Sequence, residues 1–190
     1  MSKAKSYADK LWTDWPIPDA QGHELLGIAP SLLRRWASDG FVVLPGAVPT
    51  AAIDRLLERF ERIRQGAPPQ PRMTCWHADG HYMGEFRDTL LAEKEAKVLD
   101  LHVLLEEATA VAFAPEIHRH LACAFQDEPL AFQSLFFWKG SEQGAHQDTA
   151  FVYTEPSPHF MAAWIALEDV QPGTGELFYY RGSHHLPDLL

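Results

Sequence analysis

Apolar side chains recur at three- and four-residue spacing in Ile53, Leu56, Leu57, Phe60 and Ile63, which predicts an amphipathic helix that Thr50 can cap. Upstream, Pro30 and Ser31 open the run Leu32-Leu33-Arg34-Arg35-Trp36, a short helix expected to stop at Gly40, where positive φ is accessible. Phe41-Val42-Val43-Leu44 then reads as a strand, closed by a Pro45-Gly46 turn. Residues 66–84 hold Pro68, Pro69, Pro71, Gly80 and Gly84 and predict a long loop of the kind that lines a site. Helical composition returns from Phe86 to Phe125, broken at Pro115, with Leu90, Val98, Leu101, Leu104, Leu105 and Val111 as core contacts.

The texture changes after Pro129. Leu130 to Trp138, Thr149 to Tyr153, Met161 to Leu167 and Leu177 to Tyr180 are short aromatic and β-branched runs between glycine and proline turns, as strands are. Helices first and strands second predict an α+β fold, in one domain, with a sheet or barrel begun near residue 130. The expected organisation is an irregular arm over 1–28, a mainly helical part over 29–129 and strands over 130–190.

Charge and cysteine usage narrow the classes of function. The 190 residues carry 16 basic and 26 acidic side chains, a formal charge of −10. Such an excess repels phosphate backbones and anionic lipid, and no basic run offsets it, so neither a nucleic-acid nor a membrane partner is expected. Cys75 and Cys123 stand far apart, which argues against a disulfide framework and a four-thiolate zinc site. The charged stretch Met1 to Trp15 lacks an apolar signal core, and the expected location is the cytoplasm.

The residues able to carry chemistry are His146-Gln147-Asp148, after the flexible stretch Lys139-Gly140-Ser141-Glu142-Gln143-Gly144. An imidazole and a carboxylate two apart at a strand end point to the same side of the sheet and can supply two of the three ligands of a 2-His-1-carboxylate site. The spacing is cheap: with 10 His and 12 Asp in the chain, about 0.6 such triplets arise by chance on a uniform composition. Two occur. The other, His77-Ala78-Asp79, followed by His81, reads as a solvated loop with nothing rigid to hold ligands. His118 and His120 cannot face one ligand together on a helix and read as surface residues. Gly173-Thr174-Gly175 reads as a turn, lacking the third glycine of a dinucleotide loop.

The surroundings of the second triplet resemble the phytanoyl-CoA dioxygenase family of iron(II)/2-oxoglutarate oxygenases. The matching segments are Lys139-Gly140, Gly144-Ala145-His146-Gln147-Asp148, Ala163-Trp164-Ile165-Ala166-Leu167-Glu168-Asp169-Val170, Gly175-Glu176-Leu177 and Gly182-Ser183-His184. Near the start, the stretch from Trp36 to Gly46 resembles the family's opening strand. The resemblance implies His146 and Asp148 as iron ligands. It also implies Trp164 and Gln133 as residues lining the 2-oxoglutarate pocket, and singles out no further catalytic side chain. Arg181 stands where the family's turn usually carries proline.

The fold implied is a double-stranded β-helix, or jelly roll, whose distal histidine and 2-oxoglutarate-binding arginine come from later strands. Only 42 residues follow Asp148, enough for about two strands. The expectation is therefore a jelly roll incomplete at its C-terminus, a fragment of a longer oxygenase that alone binds iron weakly, does not turn over 2-oxoglutarate and self-associates through exposed edges. His184 and His185 are not expected to be the third ligand; Gly182 supplies the bend there and Ser183 a local backbone hydrogen bond. The implied chemistry is hydroxylation of a small organic substrate, with iron(II), 2-oxoglutarate and O2 as cofactor and cosubstrates. The other reading is a metal- or small-ligand-binding jelly-roll module without turnover.

Overall fold

The computed structural model describes residues 27–125, 127–154 and 160–186. Helix α1 (Pro30–Asp39) ends at Gly40, whose φ of 85° lets its N–H reach the Trp36 carbonyl at 2.8 Å. Helix α2 (Thr50–Arg64) buries Ala52, Leu56, Phe60 and Ile63 on one face. Thr50 is its first helical residue; Pro49 occupies the cap position and offers no side-chain bond. A strand over residues 41–44 does not form: these residues find no ladder partner, and Phe41 instead stacks on Tyr179 with ring centroids 5.0 Å apart.

The expected loop over 66–84 is largely a hairpin. Strands β1 (Arg72–His77) and β2 (Gly80–Glu85) pair antiparallel from Arg72↔Glu85 to His77↔Gly80, so Ala78 and Asp79 form a two-residue connection. The Asp79-Gly80 pair was the turn signal, and the prolines that suggested a loop lie ahead of β1. Met73, Thr74 and Cys75 are buried in succession, because β1 is an inner strand and is covered on more than one side. Thr74 meets that cost by donating to the Tyr82 carbonyl at 2.9 Å and accepting from His81 Nε2 at 2.6 Å.

The region expected to be helical from Phe86 also contains a strand. Strand β3 (Lys94–Leu99) pairs with β1, completing a sheet ordered β2-β1-β3-β4 with β4 (Leu135–Phe136) at its far edge. Lys, Glu and Ala are good helix formers, but Ala96 and Val98 alternate into the core and tertiary packing overrides the propensity. Three helices follow, α3 (Leu101–Leu104), α4 (Glu106–Ala112) and α5 (Pro115–Phe125), the last opened by the proline that breaks the run. Val98, Leu101, Leu105 and Val111 are buried as expected, Leu90 packs partly buried against the core, and Leu104 is exposed. His120 is not the surface residue that was expected: its side chain is 11% exposed, and its Nδ1 donates to the Glu116 carbonyl at 2.9 Å.

Beyond β4 the described residues form no further ladder. Asp148–Ala150 is a 3-10 turn, and Met161 to Leu167 and Leu177 to Tyr180 run without strand pairing, although Ile165 and Leu167 pack against the core. These segments have the side-chain texture of strands, but a strand exists only with a hydrogen-bonded neighbour. The described structure is thus a mixed α+β arrangement with an antiparallel sheet, and it does not display a jelly roll. Gly173 and Thr174 lie in a turn closed by Glu176, whose carboxylate oxygens accept the Gly173 N–H at 3.0 and 2.9 Å. The C-terminal turn Ser183–His185 docks on α1: Gly182 N donates to Asp39 O at 2.9 Å and His184 Nε2 to Ala37 O at 3.0 Å. No helix among the described residues is long and apolar enough to cross a membrane.

Two tests follow from this packing. Phe60→Ala removes a side chain with no exposed surface at the centre of the core and is expected to cost about 3–5 kcal/mol in equilibrium unfolding by urea. The second concerns pH. Burial first, then the neighbouring Arg119 charge, holds His120 below the ordinary imidazole range, and burial does the same for His184. A folded value below the unfolded one means the unfolded chain takes up the proton more readily. Stability from these groups is therefore present above about pH 6.5 and falls as pH drops through the lowered values. His120→Gln is expected to flatten that acid limb in melts recorded between pH 5 and 8.

Candidate metal centre

The segment that carries the candidate ligands leaves the sheet through β4, whose position is held from a distance in sequence. Asp100, at φ 54°, donates its N–H to the Ser134 carbonyl at 2.8 Å and accepts the Ser134 N–H on Oδ1 at 3.0 Å. Ser134 Oγ meets His102 Nδ1 at 2.7 Å. Two residues on, Phe136 packs against Phe60 with centroids 4.4 Å apart, and Trp138 lies 6.0 Å from Phe60 and beneath the Arg64 guanidinium at 4.4 Å. Arg64 is fixed in turn by Asp88 at 2.6 Å and Glu61 at 2.9 Å. The Lys139–Glu142 ion pair at 2.8 Å then folds the following loop on itself.

His146 and Asp148 converge. Between them Gln147 is extended, with φ −104° and ψ 131°, which turns both side chains to one side without a paired strand. Nδ1 of His146 donates to the Gly144 carbonyl at 2.7 Å, since a carbonyl only accepts. In the neutral ring the Nε2 lone pair therefore faces Asp148 Oδ1, 3.3 Å away. Two donors at ~2.1 Å from one ion, subtending 90–110°, stand roughly 3.0–3.4 Å apart, so the pair fits two adjacent positions on one metal. The backbone bond at Nδ1 is the kind that orients a ligating histidine. The His146 side chain is 32% exposed and Asp148 51%, which leaves room for further ligands.

The first His-x-Asp triplet is built differently. His77 ends β1 and β2 begins at Gly80, so in place of the expected solvated loop it is held rigidly. Its Nδ1 already accepts the Asp79 N–H at 3.3 Å, while the Asp79 carboxylate stands 3.8 Å off and 93% exposed in the hairpin connection. That imidazole lone pair caps the turn. His81 is the register partner of Trp76 and lies on the face of Trp76 and Thr74, whereas His77, one residue on in β1, alternates to the other face.

Trp164 is about half exposed and Gln133 is exposed beside the anchored Ser134; neither has a hydrogen bond, ion pair or ring contact with the pair. Sequence reasoning missed two neighbours. Phe151 stands edge-on to the His146 ring at 5.4 Å, and Tyr179 lies close enough to Asp148 for that charge, after burial, to raise its phenol above the ordinary range. Phe151 belongs to a run expected to be a strand, and no spacing in the sequence links Tyr179 to residue 148. Among the described residues no group of three His, Cys, Asp or Glu could hold a metal.

Of the four residues that the resemblance singled out, His146 and Asp148 lie together, while Trp164 and Gln133 do not join them. The model of the phytanoyl-CoA dioxygenase (PhyH) family matches residues 36–189, and the chain belongs to that family. It is 24% identical over 191 residues to the bovine (Bos taurus) phytanoyl-CoA dioxygenase domain-containing protein 1, covering 83% of this chain and 66% of that protein. It is 39% identical over 61 residues to the zebrafish (Danio rerio) protein of the same name, covering 30% of this chain and 21% of the other. With the bovine peroxisomal phytanoyl-CoA dioxygenase the identity is 25% over 168 residues, 80% of this chain and 46% of that one. The chain thus spans less than two thirds of the length of these relatives. No solved structure matches it.

Ser134→Ala deletes the hydroxyl that meets His102 and is expected to cost about 1 kcal/mol in equilibrium unfolding. In hydrogen exchange, the amides of residues 134–136 should lose more protection than those of β1.

Proposed function

We propose that the protein to which this chain belongs is an iron(II)/2-oxoglutarate-dependent dioxygenase that hydroxylates a small organic substrate. The observation that carries the reading is the convergence of two lone-pair donors, His146 Nε2 and Asp148 Oδ1, at a separation suited to one metal ion, in a chain of the phytanoyl-CoA dioxygenase family. Two acceptors facing each other at 3.3 Å call for a proton or a cation between them. When bound, iron(II) would supply activation of O2 with 2-oxoglutarate as the electron source.

The chain's own contribution is to hold and orient. Gly144 O fixes the His146 tautomer, the extended Gln147 sets the bite, and the edge of Phe151 restricts rotation of the ring. Trp164 and Gln133 are assigned to the 2-oxoglutarate pocket, with Gln133 held beside the Asp100–Ser134 pairing. Neither a third ligand nor the arginine for the distal carboxylate of 2-oxoglutarate is assigned among the described residues. A non-catalytic binding module has no observation in its favour over the oxygenase.

Anaerobic titration with iron(II) tests the ligand set. His146→Ala and Asp148→Ala are each expected to weaken binding at least tenfold, while His77→Ala leaves it unchanged because that imidazole already caps its turn. Affinity should fall in acid, since protons compete for both donors. Equal losses from His77→Ala and His146→Ala would refute the assignment. Succinate release from 2-oxoglutarate separates oxygenase from binder.

A further inference from the structure

No stretch of the sequence is a basic run, yet helix α2 assembles a basic face. Arg55, Arg59 and Arg62 fall at i, i+4 and i+7, one side of the helix, while Leu56, Phe60 and Ile63 turn into the core. With Glu58, and Glu107 from α4, these arginines line an open cavity of about 180 Å³ that includes no residue of the His146 centre. Arg59 donates from Nη2 to the Pro68 carbonyl at 2.5 Å, which fixes its guanidinium and leaves most of its donors unused. Arg55 and Arg62 have no hydrogen bond or ion pair with any described residue. The contrast is Arg64 on the same helix, which is spent on Glu61, Asp88 and Trp138.

We propose that this groove between α2 and α4 binds the phosphoryl group of a small molecule. Three guanidinium forks around one cavity outnumber what a carboxylate can accept, whereas a phosphoryl group offers three acceptor oxygens and a double charge. Glu58 and Glu107 leave the five lining side chains a net charge of only about +1, so affinity depends on all three arginines together. The phosphoryl group could be free in solution or carried by a lipid headgroup. A protein of net charge −10 is repelled by anionic bilayers, which favours the soluble source.

Calorimetric titration of the whole chain with pyrophosphate at low salt tests the site. The double variant Arg55→Gln/Arg62→Gln, whose altered side chains are exposed, is expected to lose at least tenfold in affinity. Arg34→Gln/Arg35→Gln, the same charge change placed on α1, should stay within twofold of the parent, and Glu58→Gln should bind more tightly. The proposal is overturned if the parent does not bind pyrophosphate, or if both double variants lose affinity equally, which would make the effect one of net charge. Binding to phosphatidylcholine vesicles containing phosphatidic acid, without binding to pyrophosphate, would overturn the soluble source and the proposal with it.

Discussion

Phe60 is the contact on which the arrangement depends. It has no exposed surface, and its ring meets Phe86, Phe136 and Trp138, at 5.7, 4.4 and 6.0 Å between centroids. Those partners follow β2, lie in β4 and lie just beyond β4, so one side chain joins the helical layer to both ends of the sheet. Strand β4 pairs with β3 through only two residues, Val98↔Phe136 and Leu99↔Leu135, and ladder bonds contribute about 1 kcal/mol net each. Burying Phe136 contributes roughly 1.5–3 kcal/mol, and its aromatic contact adds about 0.5–1.5 more. The aromatic cluster, more than the ladder, keeps the edge strand in place.

Around that apolar centre the polar groups fix direction. Arg64 is about a quarter exposed and its acid partners more so, so its ion pairs add little stability. Their effect is to hold the guanidinium over Trp138, the residue from which the loop toward His146 departs. At the other side of β4, Asp100 accepts the left-handed conformation, which costs about 1–2 kcal/mol, and in exchange pairs with both backbone groups of Ser134. The loop bearing the candidate ligands therefore starts from a strand clamped on two sides.

How much of this was legible depended on whether local pattern and tertiary packing agreed. They agreed for α1 and α2, where the proline start, the glycine stop and the three- and four-residue spacing all pointed one way. They disagreed for β3, where Lys94, Glu95, Ala96 and Lys97 favour helix locally and only the burial of Ala96 and Val98 against the sheet makes a strand. The β1–β2 hairpin was hidden by Pro68, Pro69 and Pro71, although its Asp79-Gly80 turn was in plain view. The runs after Phe136 carry strand-like side chains without ladder partners among the described residues, and pattern alone cannot report a missing neighbour. Likewise the basic face of α2 is invisible in a linear reading, because its arginines are three and four residues apart.

The two His-x-Asp triplets show why spacing needs conformation before it carries chemistry. The expectation that His146 and Asp148 share a side was derived from a strand, yet residues 146–148 belong to no ladder. One extended residue, Gln147, is enough, because alternation is a property of backbone dihedrals and not of sheet membership. In the other triplet His77 does end a true strand, but Ala78 and Asp79 turn immediately, and the Asp79 N–H takes the imidazole lone pair that a metal would need. Rigidity alone, which the hairpin supplies in greater measure, does not make a ligand pair. What separates the two is where the lone pairs point: at His77 Nδ1 the lone pair meets a backbone donor, while at His146 Nδ1 carries the proton to Gly144 and leaves Nε2 open toward a carboxylate. The backbone carbonyl of Gly144, two residues before the histidine, is therefore as much a part of the candidate centre as the ligands, since it alone selects the nitrogen that faces Asp148.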